Sequence, residues 1–562
     1  MKIAAFSKER LSLRVPPFAI SLTAIFLALG LIGILHHEMW RDELQAWMLA
    51  RDSASVLDLF HNMRYEGHPA LWHLSLYGLA RITPNPIAMQ LFHLAIAAGS
   101  VFLVAQFSPF TRLQKGLLAF GYFNFYEYAI ISRSYGLGVF LTLLFCSLYG
   151  QQSWLAPRPW RTRFLPACLA LALLANTSVY GLLLSLPLGL GLGLTLAQRR
   201  WSVARGVRAG IGLSGLMTGW LLCYWQIGRL NLADANFQTA QSSAASLAKS
   251  WFEPIQKLSE TGIKIWYSYV PIPAFWRDRF WNSNVLSALD HLPVIGHRTL
   301  DDKVAILLAL LLVGLVVRAL WHQPKWLLVY GAGTATQLAF IYYFHIGSLR
   351  HHGHLFILLV ACLWLAAADR DRRAQAESYR RNYEAQGRAE LASYRLQKQL
   401  LSGLLVLHVI AGLLAYSADL RLTFSASRAT AHFLRSHSLD QQVLFGYRDF
   451  NVSTVSGYLN QPIYYPNLER FGSFWTLHKS MEPEAVNQQV EAFVQQQQRP
   501  VVLLLTAPIE RPLAGVTLDL LGYFQSQILK RESFYVYLAQ PAAHTGNASP
   551  QPAPDEEERA RS

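Results

Sequence analysis

The feature that most limits this chain is a series of long apolar runs almost free of charge. Pro17 to Leu35 is nineteen residues without a charged side chain. A helix crosses a bilayer with about 20 such residues, and hydrocarbon offers its backbone no partner but itself. Runs of this kind predict spans at 17–35, 86–106, 117–131, 134–150, 164–180, 181–197, 209–227, 304–320, 326–345, 353–368 and 399–417. The fold class is a polytopic α-helical membrane protein of about 11 spans. Composition agrees: 15% of residues are charged, against about 25% in soluble domains. The 16 Trp and 25 Tyr suit a protein with two membrane interfaces.

The net charge of +15 does not point to nucleic acid, because the arginines stand between apolar runs. It sets orientation instead, since cytoplasmic loops are basic. Residues 151–163 carry Arg158, Arg161 and Arg163 with no acid, and 198–208 carry four arginines. Residues 369–398 carry eight basic and five acidic side chains. With these three loops inside, four stretches face out: 36–85, the turn at 132–136, the loop 228–303 and everything after 417. The run "HPALWHLSLYGLA" (68–80) has 13 residues, too few to span, and is expected as an interfacial or re-entrant helix on the outer side. Cys146, Cys168, Cys223 and Cys362 all lie in apolar runs, so buried thiols are expected and neither a disulfide framework nor zinc spacing. The first run follows a basic N-terminus and precedes no clear small-residue cleavage site, so it reads as a retained anchor.

After Ser417 the pattern changes. Short β-rich runs at 442–447, 462–466, 501–506 and 534–539 alternate with helical patterns at 427–437 and 483–497. That alternation predicts a small α/β domain. The organisation expected is a membrane domain over 1–417, an extracytoplasmic α/β domain over 418–540 and a Pro- and acid-rich disordered tail over 541–562.

Unusual polar residues gather on the outer side. "WRDELQAW" follows the first run, "YEGHPALWH" closes the first loop, "SRSY" joins two spans, and "SLRHHGH" precedes a late one. Each has a plain reading. Asp42 and Glu43 could cap the helix that follows them. His68 could simply end a loop before Pro69, Arg133 could anchor an interface, and "RHHGH" could be an interfacial basic or metal-binding tract. His36 and His37 read as loop residues. Placement of the set on one side makes it a candidate site.

The order of these elements resembles the GT-C superfamily of lipid-linked glycosyltransferases. The branch it looks most like holds protein O-mannosyltransferases and aminoarabinose transferases. An acidic pair after the first span, "HP" opening an aromatic-rich helix, "SRSYGL" after the third span, an arginine before a late span, and an outer α/β domain carry the resemblance. It implies an inverting glycosyltransferase that moves a sugar from a polyprenyl-phosphate-type lipid donor to a hydroxyl of a glycan, lipid or protein acceptor. The site would lie outside the inner (plasma) membrane.

By that resemblance Asp42 is the catalytic aspartate that binds or deprotonates the acceptor. Glu43, Trp40 and Tyr65 bind acceptor or sugar. His68 stands where aminoarabinose transferases have a lysine, and with Arg133, Tyr135, Arg350 and His351 it meets the donor phosphate. No "DxD" or "ExD" follows the third span, so metal-independent transfer is favoured over a divalent ion, and no other cofactor is expected. A transporter or flippase of lipid-linked precursors, another envelope group transferase, and a non-enzymatic scaffold are the competing classes. A transporter would carry charges at mid-membrane depth or paired broken helices, whereas the charges here stand at span ends.

Overall fold

A computed structural model describes residues 15–150, 159–198, 203–228, 253–275, 277, 280–289, 300–377, 384–476 and 481–542. Parts of the basic loops at 151–163, 198–208 and 369–398, much of the loop 228–303, and nearly all of the expected tail lie outside the described residues.

The membrane part is helical. Its elements are α1 (Pro17–His36), α2 (Arg41–Asp52), α3 (Val56–Asn62), α4 (Leu71–Ala80), α5 (Ile87–Phe107), α6 (Arg112–Ala119), α7 (Ser134–Gly150) and α8 (Pro159–Ala175). Then follow α9 (Val179–Ala197), α10 (Val203–Gly228), α11 (Glu253–Tyr269), α12 (Leu300–Leu320), α13 (Pro324–Tyr343), α14 (Leu349–Glu377) and α15 (Glu384–Asp419). Among the described residues, six helices are long and apolar enough to cross a membrane: α1, α5, α9 and the apolar stretches of α12, α14 and α15. α7 and the 163–175 part of α8 are apolar but shorter.

The expected span 117–131 is not one helix. α6 ends at Ala119, and Tyr122–Ile130 forms a π-helix. π-Helices are rare and concentrate at functional sites. This one presents Glu127 and Tyr128 towards the start of α14, as described below. The short helix expected within 68–80 is α4, ten residues long.

α14 is the axis of the bundle. From His351 through Ala367 every residue is buried. Its sequence is apolar all round from Leu355 to Ala367, as a helix enclosed by neighbours must be. It touches α7, α9, α11, α13 and the π-helix. Gly353 permits the closest of these approaches: a Cβ there would run into the Tyr128 hydroxyl and the Phe123 ring. Arg350 therefore stands in the first turn of the most enclosed helix.

The C-terminal domain contains α16 (Ser427–Ser436), α17 (Asp449–Leu459) and α18 (Pro483–Gln497). Its strands are β1 (Val443–Tyr447), β2 (Ile463–Tyr465), β3 (Arg470–Gly472), β4 (Val501–Leu505), β5 (Val516–Phe524) and β6 (Phe534–Pro541). They form one sheet in the order β3-β2-β1-β4-β6-β5. β1 runs parallel to β2 and β4, and the other pairings are antiparallel. Alternate residues face opposite cores, with Val502 and Leu504 on one side and Val501, Leu503 and Leu505 on the other. Burial on both faces explains the unbroken "VVLLL".

α17 packs on α2, the helix after the first span. Gly457 lets it sit against Leu44 and Met48. The seam is polar as well. The Tyr458 hydroxyl accepts from the Met39 amide at 2.8 Å, Glu532 accepts from the Arg41 amide at 3.2 Å, and Glu38 accepts from the Ser425 amide at 3.3 Å. The sheet domain thus fixes the stretch of chain that carries Asp42.

Candidate functional site

Two segments distant in sequence converge on Asp42, and its chain neighbour Arg41 joins them. Arg350, from α14, donates to its Oδ2 at 2.9 Å. Arg133, from the turn before α7, lies 3.1 Å from the same oxygen. Arg41 Nε is 3.5 Å from Oδ1. Burial pushes the Asp42 carboxyl up, but Arg133, Arg350 and Arg41 outweigh it and hold its pKa below the usual value. Burial in turn opposes the charge on Arg133, and Asp42, Tyr135 and Glu66 more than restore it. Asp42, Arg133 and Arg350 keep 13–16% exposure, so the cluster is recessed but open.

Two indoles flank Arg350. Its guanidinium lies 5.1 Å from the Trp40 ring and 5.8 Å from the Trp281 ring, and the two indoles meet edge to face at 5.2 Å. Trp281 Nε1 donates to Glu127 Oε2 at 3.1 Å, and Tyr122 donates to the same oxygen at 3.0 Å. The Tyr128 hydroxyl donates to the Arg350 carbonyl at 2.7 Å. The π-helix therefore supports Arg350 through both its backbone and its aromatic cradle.

A second chain of contacts flanks the arginines. His351 Nδ1 accepts from the Ser348 amide at 2.8 Å, which leaves its proton on Nε2. Nε2 meets the Tyr135 hydroxyl at 2.9 Å. With His351 as donor there, the Tyr135 proton is free to point towards His68, whose Nε2 is 3.5 Å away. Burial, then the charge of Arg133, pushes His68 down to about 3. His68 is thus a neutral imidazole at physiological pH, not a stand-in for a lysine's charge. Gly67, at φ +69°, makes the turn before it. The start of α4 is tied down by Ala70 N to Gln226 at 2.9 Å and Leu71 N to the Asn176 carbonyl at 3.2 Å.

Seven of the nine expected site residues meet here: Trp40, Asp42, His68, Arg133, Tyr135, Arg350 and His351. Two do not. Glu43 was expected to bind acceptor or sugar, but it is fully buried. One oxygen accepts from the Ser132 amide at 2.6 Å. The other accepts from the Trp40 amide at 3.2 Å and lies 3.0 Å from His37 Nε2. Glu43, not Asp42, caps α2. Tyr65 was expected beside the acceptor, yet its ring lies 4.7 Å from the Arg64 guanidinium, and no described contact joins it to Asp42. The short helix Met63–Tyr65 turns it that way.

His37, expected as a loop residue, is a buried bridge. Its ring nitrogens reach Asp419 at 2.8 Å and Glu43 at 3.0 Å. Burial lowers its pKa, but Asp419 and Glu43 overcome this and raise it to about 10. The cation pins the end of α1, the first turn of α2 and the end of α15 at one point. Glu66 also belongs to the surroundings: Gln45 donates to it at 3.0 Å, and burial raises its pKa.

Sequence reasoning missed Glu127, Trp281, Tyr128, Glu66 and the role of His37. A lone carboxylate inside an apolar run was the signal available for Glu127. Nothing in the sequence separates Trp281 from the other tryptophans. Among the described residues, no three His, Cys, Asp or Glu gather in a way that could hold a metal.

Fold and site together define a multi-pass membrane protein with a charged, aromatic-lined site where its helices meet a C-terminal α/β domain. No protein-family model matches the chain, and no curated protein matches it. Two solved structures similar to it are of ArnT from Cupriavidus metallidurans. One is bound to undecaprenyl phosphate, at 12% identity and a TM-score of 0.47; the other is in the apo state, at 13% and 0.44. Each comparison covers 93% of this chain and 98% of the other. A likeness of this size leaves the chemistry to be argued from the side chains.

Proposed function

We propose that this protein is an inverting glycosyltransferase. It moves a sugar from a polyprenyl-phosphate-type lipid to an acceptor hydroxyl, on the side of the membrane that carries the C-terminal domain. One observation carries the reading. Two guanidiniums share a single carboxylate oxygen, while Trp40 Nε1, His68 Nδ1 and Arg350 Nε around them are buried without a hydrogen-bond partner. Buried donors without a protein partner, gathered beside two cations, are free to serve a ligand. Donors and cations together fit an anion, and arginine's planar fork suits phosphate oxygens.

The donor phosphate takes up the Arg133 and Arg350 forks, with the Tyr135 hydroxyl and neutral His68 as further donors. Their pull on Asp42 then falls, and its carboxylate regains basicity. The acceptor oxygen attacks the anomeric carbon as the bond from that carbon to the phosphate oxygen breaks. The bonding pair leaves on the phosphate, beside the arginines, and Asp42 takes the acceptor proton. A single displacement inverts the anomeric centre. Arg41, Arg133 and Arg350 supply the positive charge, so the proposal needs no metal.

The test is incubation of the purified full-length protein with a polyprenyl-phosphate sugar and extracts of envelope glycans, lipids and proteins. Release of polyprenyl phosphate with the sugar appearing on an acceptor is the expected result. Donor binding with neither transfer nor hydrolysis would assign the chain to transport of lipid-linked precursors.

A further inference from the structure

A cavity of about 450 Å³ lies where the C-terminal domain meets the ends of two spans. One wall is apolar: Ile34 and Leu35 from the last turn of α1 and Ile87 from the first turn of α5. The facing wall is polar and comes from α16. Arg428, His432 and Arg435 line it, spaced four and three residues apart and so on one helix face. Arg428 donates to the Leu35 carbonyl at 3.0 Å, which holds α16 against the span, and its Nε is 3.8 Å from Glu38. Arg435 donates to the carbonyls of Tyr458 and Leu459 at 2.8 and 3.0 Å. Among the described residues it meets no carboxylate. His432 and Arg435 are exposed, and Leu35 is half exposed. None of these residues belongs to the Asp42 site.

We infer that this cavity binds an anionic glycerophospholipid from the membrane leaflet that faces the C-terminal domain. Its height is set by the span ends, which places it at the headgroup level. Two arginines and a histidine against one glutamate favour a phosphate, and arginine's planar fork suits the phosphate oxygens of a headgroup. The apolar wall of Leu35 and Ile87 fits the first acyl carbons, which a soluble phosphate would leave uncovered. The volume is that of an ordinary small-molecule site. Bound there, the lipid fastens α16, and with it the domain that positions Asp42, to the membrane surface. The lipid site is independent of the transfer chemistry.

The experiment uses the full-length protein in phosphatidylcholine nanodiscs containing a minor fraction of diazirine-labelled phosphatidylglycerol. After photolysis, label is expected on peptides covering 84–90 and 428–435. Unlabelled phosphatidylglycerol should compete, and extra phosphatidylcholine should not. R435Q combined with H432Q should cut labelling at least about tenfold, the scale of a lost charge-assisted hydrogen bond. Should that variant melt early, I87W decides, because it fills the apolar half and leaves every charge in place; it too should abolish labelling. Equal labelling by a phosphatidylcholine probe, displacement by free glycerol phosphate, or labelling unchanged in both variants would overturn the lipid site. Sugar transfer is measured separately, so neither result stands in for the other.

Discussion

Arg350 and Asp42, 308 residues apart, meet at 2.9 Å. The same carboxylate oxygen also faces Arg133. An acid expected to take a proton is thus held by the cations expected to bind phosphate. Without donor its pKa lies below the usual range, after burial and the arginines have worked against each other. The proposed mechanism needs this one cluster to make Asp42 a weak base at rest and a stronger one once phosphate takes up the arginines.

Asp42→Asn keeps shape and most hydrogen bonding but removes base and charge. Asp42 is not the cap of α2, so the helix should persist. Transfer at matched expression should fall by about 10²- to 10⁴-fold, the range for a positioned general base, while donor binding is retained or tightened. Full activity in the variant would end the base assignment.

Arg350→Ala should lower transfer roughly tenfold or more, since a charge-assisted contact is worth about 1.5 to 3 kcal/mol. Arg350→Lys should recover only part. An ammonium lacks the planar fork that meets Asp42 beside Trp40 and Trp281. The readout is donor KM against kcat for both variants. Full rescue by lysine would reduce Arg350 to a plain positive charge.

His37 gives a pH signature. Its folded pKa is about 10, above the unfolded value near 6.5. Its contribution to stability is therefore complete below about pH 6.5 and is lost as pH rises towards 10. Melting temperature should decline over that window, and more shallowly in His37→Gln. Glu43→Gln, which removes one of the two anions, should lower the melting temperature while affecting transfer less than Asp42→Asn. Identical melting curves against pH in wild type and His37→Gln would exclude this role.

Topology is open to cysteine labelling. The four native cysteines are buried, so the background is low. Ser55 and Thr517 are exposed, and cysteines there should both react with an impermeant reagent in intact spheroplasts. A cysteine at Leu113, 69% exposed in a stretch expected inside, should react only after lysis. Labelling of only one of Ser55 and Thr517 would break the shared-side arrangement.

Activity should survive chelation, because arginines supply the charge that a metal would otherwise supply. The measurement is transfer in EDTA with and without added magnesium, manganese or calcium. Loss in EDTA with recovery on adding metal would send the search for ligands back to Asp42, Glu66 and the histidines.

The sequence by itself determined the membrane class, the approximate place of most helices and four strands of the C-terminal sheet. Apolar period and length suffice for these, because hydrocarbon and sheet cores impose them locally. The seven expected residues that the structure brings together are marked in the sequence as candidates by their place at span ends, not as neighbours. Tertiary structure decided the rest. β5 is an edge strand whose "VTLDLLGYF" has a mixed pattern, and pairing with β6 makes it a strand. α17 holds Val452, Thr454 and Val455, poor helix formers, and is kept helical by packing on α2. The span expected over 117–131 breaks after Ala119, and the π-helix beyond it carries Tyr128 to the Arg350 carbonyl and Glu127 to Trp281. Adjacent acids parted for a local reason: side chains one residue apart on a helix diverge by about 100°, so when one faces the arginines the other turns inward. Which did which depended on where α14 and the Ser132 amide came to lie, and that is a property of the packed chain, not of its order of residues.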